Sequence, residues 1–264
     1  MNLNNENKTL FIPLYGKALM SSKGLFIKDK KAEDIINSID FDLKDIDKSY
    51  YLAMYLSARA RVIDDIVNMY MDKYSDLVII HLGCGLDSRC MRVNNKYVDW
   101  YDIDFESVID VRKRYYSESS KYHMIAKKVN DLSWVDEIKK TNHTLVVAEG
   151  LMMYLSSNMI NNIIDKISSE FNNTTIVFDS YSKLGFRLSK IKNPANRLNA
   201  NIKYGMKSVD EFLKFNKHLR FVKSYKIMYH EKRLPKIKRF VYEHLYCGII
   251  SSFLYKIYVF NVDN

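Results

Sequence analysis

The apolar positions of this chain fall into two registers. Over residues 47–74, Leu52, Tyr55, Leu56, Val62, Ile63, Ile66, Val67 and Tyr70 recur at three- and four-residue steps. That spacing places one apolar stripe along a long helix. A shorter helix is predicted near 29–39, where Ala32, Ile35, Ile36 and Ile39 share a face. Residues 1–24 show little pattern, and with Pro13, Gly16 and Gly24 they are expected to form an irregular arm. From residue 76 the register changes. Leu77, Val78, Ile79 and Ile80 form a continuous run, suited to a strand buried on both faces. A helix at 87–93, a strand at 97–103, a helix at 106–115 and a strand at 122–126 are predicted next. A short helix to residue 139 follows, with Ser133 as its cap. Then come a strand at 144–148, a helix at 158–171 and a strand at 175–178. Strands alternating with helices predict an α/β fold with a mostly parallel sheet.

Beyond residue 182 the rhythm loosens. Residues 183–206 are polar and basic and are expected to form a cap. A helix is predicted at 209–215 and a strand at 221–229. Residues 235–246 read as a helix, with Pro235 tolerated in its first turn. The segment 253–262, FLYKIYVFNV, reads as a final strand. With 264 residues, 47% of them hydrophobic, the chain can bury one large core. One domain over 1–264 is expected: a helical cover at 1–75, a ligand-binding core at 76–182, and an acceptor side with the last strands at 183–264.

The chemistry concentrates after the strands. Gly83 and Gly85 stand between the first strand and the next helix, the arrangement that lets backbone approach a nucleotide. A dinucleotide fingerprint wants a third Gly or Ala, and Ser88 holds that place. Asp87 would repel a pyrophosphate, so a neutral or cationic nucleoside fits better and a nicotinamide dehydrogenase is disfavoured. Asp104, Asp131, Glu149 and Asp179 each stand at or just after a strand end. In an open α/β sheet the ligand sits outside those ends, so four acids in phase suggest a site.

Charge and cysteines add exclusions. The net charge of +10 raises a nucleic acid or an acidic partner. The lysines are spread along the chain, however, so nucleic acid is disfavoured. The densest basic run, KRLPKIKR at 232–239, reads as a solvated helix face or an acidic-ligand patch. Cys84, Cys90 and Cys247 have no metal-ligand spacing and read as reduced thiols, with no metal expected. With no leader pattern and no run of membrane-spanning length, a cytoplasmic protein with no membrane partner is expected.

Five ordered motifs then carry a resemblance: SARARVIDD at 57–65, HLGCGLDSR at 81–89, WYDIDFESVIDVRK at 100–113, NDLSWVDEI at 130–138 and AEGLMMYL at 148–155. With IKDKKAEDIINSIDFD upstream, they resemble the class I S-adenosylmethionine-dependent methyltransferases, in the branch of leucine carboxyl methyltransferases and tetracenomycin-type polyketide O-methyltransferases. The resemblance spans about residues 10–262. It implies a Rossmann-like, seven-stranded, mostly parallel sheet with an antiparallel final strand, N-terminal helices and a helical cap. It implies S-adenosyl-L-methionine as cofactor. By match of position, it implies that Arg59 holds the methionine carboxylate, that Gly83, with Gly85 in the same turn, admits the cofactor, and that Asp104 takes the ribose hydroxyls, with Asp102 as second choice. It implies Asp131 and Leu132 beside the adenine, Glu149 near the methionine amine and Tyr154 below the methyl donor. Lys30, Ser88 and Cys84 depart from the usual pattern, and the match loosens after Tyr181.

The implied reaction is methyl transfer to a carboxylate or hydroxyl oxygen of a small molecule such as a polyketide, aromatic acid or phenol. Holding the acceptor in line can supply roughly 7–11 kcal/mol of the barrier. A carboxylate acceptor needs no base, whereas for a hydroxyl a base contributes roughly 10²–10⁴-fold. Tyr154, His123 and His230 are the candidates, His230 because a tyrosine-histidine pair recurs there in the family. Tyr181, Phe186, Arg187 and Tyr204 are candidates for the acceptor pocket. A non-catalytic cofactor-binding sensor, a carboxyl methyltransferase acting on a protein C-terminus and an RNA methyltransferase are the alternatives. Oligomeric state is not legible.

Overall fold

The computed structural model describes residues 9–39, 48–94, 98–190 and 201–263, with backbone alone for residues 249 and 250. The predicted start of the second strand at Tyr97, the end of the upstream motif at 40–42 and the middle of the predicted cap at 191–200 lie outside the described residues.

Seven strands form one sheet: β1 (Leu77–Leu82), β2 (Asp99–Asp104), β3 (Tyr122–Ala126), β4 (His143–Ala148), β5 (Thr174–Tyr181), β6 (Leu219–Tyr225) and β7 (Tyr255–Val262). Their order is β3-β2-β1-β4-β5-β7-β6. The first five pair in parallel, and β7 is inserted antiparallel between β5 and β6. The expected architecture is therefore present. The chain winds from β1 outward to β3, then crosses back to β4 on the other side of β1. That reversal opens a crevice at the carboxyl ends of β1 and β4.

Alternation along the strands divides the core. Leu77 and Ile79 face one layer with Leu145 and Val147. Val78 and Ile80 face the other, with Val146 and Ile176, against helix α6 (Ser157–Glu170). Both faces are covered, which is why these strands are apolar runs rather than alternating ones.

The first layer contains a helix that the pattern did not reveal. In place of an irregular arm, the N-terminus forms α1 (Phe11–Ser22). Phe11, Ile12, Leu14, Lys17, Ala18 and Met20 are all buried, so α1 shows little contrast between faces. Pro13 costs little, since the first turn of a helix leaves its N–H groups unbonded. Gly16 is needed for packing: a Cβ there would sit 3.2 Å from Ala53 Cα of the long helix at Tyr50–Lys73. Helices α2 (Lys30–Ser38) and α3 (Tyr50–Lys73) form as expected, capped by Asp29 and Ser49. Short helices α4 (Arg89–Arg92) and α5 (Glu106–Arg112) follow β1 and β2.

Three further differences have local causes. The turn Leu132–Glu137 is a 3₁₀ helix capped by Asp131, whose carboxylate accepts the Ser133 N–H at 3.2 Å. Ser133 is therefore inside the turn, not its cap. The cap region begins with α7 (Lys183–Ser189), and α8 (Val209–Leu213) precedes β6. The helix predicted at 235–246 is α9 (Lys236–Val241) running into a π turn, Tyr242–Tyr246. At Gly248 the chain folds so tightly that a Cβ would meet the His244 carbonyl oxygen at 2.1 Å. Then α10 (Ile249–Leu254) takes up residues 253 and 254, which the sequence pattern assigns to the last strand.

Asp102 ties the centre of the sheet together. Its carboxylate is fully buried and pairs with Arg112 of α5. It also accepts Trp100 Nε1–H at 2.9 Å and the Tyr122 hydroxyl at 2.7 Å, and lies 3.1 Å from His81 Nδ1. Burial opposes its charge, but the Arg112 guanidinium and the bond to His81 outweigh that and hold it down to about 2. A depressed folded value gives stability that is present above the ordinary carboxylate range and lost as pH falls towards 2. Wild type is expected to lose about 2 kcal/mol more than Asp102→Asn between about pH 4 and pH 2. At pH 7 the variant is expected to be less stable by about 3 kcal/mol, since Arg112 remains charged and buried. Urea unfolding at stepped pH measures both; parallel curves for the two proteins would contradict the assignment.

Candidate functional site

A cavity of about 750 Å³ opens at the carboxyl ends of β1, β2, β4 and β5. Its floor is built from strand ends and the turns after them. Its roof comes from α1 and α3, and one side from the turn Tyr242–Tyr246 and α10.

The glycine turn after β1 forms one wall. Gly83 and Gly85 have φ of +64° and +52°, values that side chains with a Cβ rarely adopt. A Cβ on Gly83 would also stand 3.0 Å from Leu151 Cδ1 across the crevice. Gly85 N–H donates to Asp104 Oδ2 at 2.7 Å, and Phe105 N–H donates to Oδ1 at 2.8 Å. Two backbone amides thus hold the Asp104 carboxylate at the cavity wall. Burial nevertheless pushes its carboxyl up from the usual range.

Opposite lies a lattice of buried charges. Arg59 of α3 reaches Glu149 after β4, with Nη2 2.9 Å and Nε 3.1 Å from Oε1. Its Nη1 is 3.0 Å from Asp179 Oδ2 of β5. The Tyr255 hydroxyl donates to the same Asp179 oxygen at 2.5 Å, and Gly150 N–H donates to Oδ1 at 2.6 Å. Arg89 of α4 pairs with the other Glu149 oxygen, and with Asp64 at 2.8 Å and Asp87 at 3.1 Å. Arg92 extends the lattice to Asp64, Asp87 and Asp29. Lys17 of α1 closes it at Asp87, 2.8 Å away. Burial raises the cost of charge at Glu149, but Arg59 and Arg89 outweigh it and hold the carboxyl down to about 2. Asp87 is likewise held well below the usual range, against burial, by Arg89, Arg92 and Lys17. Asp179 shifts the other way: burial pushes it up, and Arg59 only partly offsets this.

Of the residues singled out by sequence, Arg59, Gly83, Gly85, Asp104, Glu149 and Tyr154 line the cavity together. Four do not. Asp102 is spent inside the sheet on four polar partners. Asp131 is exposed and engaged in capping its own turn. Leu132 packs against the second layer of the core, and Val129 and Asn130 take the wall at this loop instead. His230 is 68% exposed and bonded to Glu243, away from the cavity. His123 stacks on Tyr101 outside it. Of the acceptor-side candidates, Tyr181 lines the cavity, whereas Phe186, Arg187 and Tyr204 do not.

Sequence reasoning missed Lys17, Tyr55 and Tyr255, all in the wall. Tyr55 was legible in principle, because it stands one helical turn before Arg59 and shares its face. Lys17 was hidden by the unrecognised helix α1. Among the described residues no group of three or more His, Cys, Asp or Glu is placed to hold a metal ion.

This arrangement has known relatives. Residues 3–168 match the family described as Leucine carboxyl methyltransferase. The tetracenomycin polyketide synthesis O-methyltransferase TcmP of Streptomyces glaucescens is 29% identical over 206 residues, 77% of this chain and 76% of the relative. The S-adenosyl-L-methionine-dependent methyltransferase dpfgK of Gibberella zeae is 25% identical over 207 residues, 70% of each chain. In structure, magnesium protoporphyrin IX methyltransferase from Synechocystis, solved with S-adenosylhomocysteine, superposes with a TM-score of 0.53 at 12% identity, over 88% of this chain and 98% of that one. A DUF574 family protein from Streptomyces avermitilis reaches 0.59 at 9% identity, over 81% and 86%. At such identities the two structures show the fold alone. A match over more than half of the sequence, joined to this sheet order, shows that the chain belongs to the leucine carboxyl methyltransferase family and is an S-adenosylmethionine-dependent methyltransferase.

Proposed function

We propose that this methyltransferase esterifies the carboxylate of a small organic acid. The observation that carries the reading is that no histidine in the described cavity wall is free to act as a general base, while Asp104 is held by the Gly85 and Phe105 amides. All six histidines are described, and only His81 borders the cavity, where Asp102 holds its Nδ1 and Arg89 Nη1 lies 3.3 Å from its Nε2, so neither ring nitrogen is left for an acceptor proton. Glu149 is held down to about 2 between two arginines, and burial pushes the Tyr154 phenol up to about 12. Burial pushes Tyr55 up as well. Such phenols remain protonated near neutral pH and can donate to an anionic acceptor, but cannot take a proton from an alcohol. A carboxylate acceptor is already ionised. The name of TcmP as a polyketide synthesis enzyme supports a small acceptor.

The cavity fits the cofactor on its own terms. Asp104 presents a carboxylate suited to two ribose hydroxyls, with bonds to a charged group worth roughly 1.5–3 kcal/mol each. Gly83 leaves open the space that a Cβ would fill beside Leu151. Val129 and Asn130, which line the cavity where Asp131 and Leu132 do not, are the residues of this loop that would read the adenine edge. Arg59, Glu149 and Lys17 offer charges of both signs to a zwitterionic amino-acid moiety. S-adenosylmethionine, when bound, supplies a methyl group on a sulfonium, itself a good leaving group. The chain then has to hold the acceptor oxygen in line and exclude water. Tyr154 is placed to orient that oxygen.

The test is methyl transfer from radiolabelled S-adenosylmethionine to a panel of aromatic acids and matched phenols. Methyl esters release labelled methanol in alkali, whereas phenol ethers do not. Alkali-labile product from the acids is expected; alkali-stable product from the phenols alone would overturn the reading. For the preferred acid, kcat/KM is expected to be level between about pH 6 and pH 9, since a carboxylate acceptor is already ionised over that range. An inflection near 6.5, the ordinary value for histidine, would contradict this. His230→Ala is expected to change kcat/KM by less than about twofold, and Tyr154→Phe to lower it by about tenfold without altering the pH profile. A Tyr154→Phe loss of roughly 10²–10⁴ would instead mark a base.

A further inference from the structure

The exposed large apolar side chains are unevenly placed. Leu184, Leu188, Ile237, Phe240, Leu245 and Phe253 are between 46% and 80% exposed, and all six lie on α7, α9, α10 or the π turn between the last two. These elements adjoin one another: Ser182 N–H, at the head of α7, donates to the Leu254 carbonyl of α10 at 2.8 Å. They also adjoin the cavity, since Leu245, Tyr246, Ser251 and Leu254 form its side wall. An apolar rim therefore stands at the carboxyl end of the sheet, beside the cavity mouth. Clusters of this kind mark a surface that docks onto something.

Charge identifies the occupant. Segments 183–190 and 232–254 carry eight lysines and arginines and one acid, Glu243. Glu243 is paired with His230, and the nearby Glu231 is buried under Arg233 and the Phe26 amide. Thus the basic run at 232–239, which the methyl chemistry leaves unused, borders the apolar rim. Leu, Ile and Phe interleaved with Lys and Arg are what an interfacial element uses to lie on a membrane, the apolar side chains entering the headgroup boundary and the cations facing anionic lipid. No helix among the described residues is long and apolar enough to cross a membrane, so the contact is with a surface, not a span.

We propose that this rim seats the enzyme on an anionic lipid surface, with the cavity mouth turned towards the bilayer. Amphipathic acids partitioned into the bilayer would then be delivered at the mouth. The docking itself does not depend on which oxygen is methylated.

The experiment is co-sedimentation of the full chain with vesicles, either phosphatidylcholine alone or a mixture with phosphatidylglycerol. Three variants accompany wild type: Ile237→Ser with Phe240→Ser, Lys232→Glu with Lys236→Glu, and, as a control of equal charge change at the opposite end of the sheet, Lys113→Glu with Lys217→Glu. Unfolding midpoints confirm that each folds. Binding to the anionic vesicles is expected, reduced about tenfold or more by either rim variant and little by the control. No binding by wild type would overturn the proposal. So would binding that the apolar variant leaves intact, which would reduce the rim to a diffuse basic field. A concentration-dependent dimer that the Phe240 variant dissolves, without vesicle binding, would assign the face to a second copy.

Discussion

The placement of Glu149 between Arg59 and Arg89 is the constraint on which the site depends. Three charged side chains from α3, α4 and the end of β4 meet where water is largely excluded. Each would cost several kcal/mol to bury alone, so each is tolerable only while the others stay in place. Asp179, Asp64, Asp87 and Lys17 extend the same dependence to β5 and α1. The helical cover is thus fastened to the sheet through charge as well as apolar packing. Charge fixed in this way beside a cavity is what a polar transition state draws on.

The lattice also sets what the cavity cannot do. Carboxylates committed to arginines do not accept protons near neutral pH, and buried phenols do not release them. A carboxylate acceptor, as proposed, asks the site only to orient and desolvate it. This division of labour suits a sulfonium donor, where position rather than proton transfer limits the reaction.

Much of this was legible in the order of residues. Strands such as β1 and β4, buried on both faces, announce themselves as short β-branched runs between turns. The acids at or near the ends of β2, β4 and β5 follow from the same reading, since a strand end in an open sheet is where a ligand sits. What spacing did not carry was side-chain direction. Asp102 and Asp104 stand two residues apart on one strand, yet one serves the sheet and the other the cavity, a difference made by Arg112 and by the amides of Gly85 and Phe105. Asp131 was located correctly in its loop, but its carboxylate is consumed by the turn it caps. Helix α1 escaped because it is buried on nearly all sides and carries a proline, so neither its period nor its composition distinguished it. His230 was drawn from a pairing with Tyr229 and lies in solvent.

The carboxyl edge of this sheet is proposed to bind the cofactor through Asp104 and the glycine turn. Calorimetric titration with S-adenosylhomocysteine, on wild type and on Asp104→Ala, measures this. Binding in the micromolar range is expected for wild type, with a loss of at least about tenfold in the variant, the value of one charge-assisted hydrogen bond or more. Equal affinities would remove Asp104 from the site, and no binding to wild type at high protein concentration would remove the cofactor from this cavity.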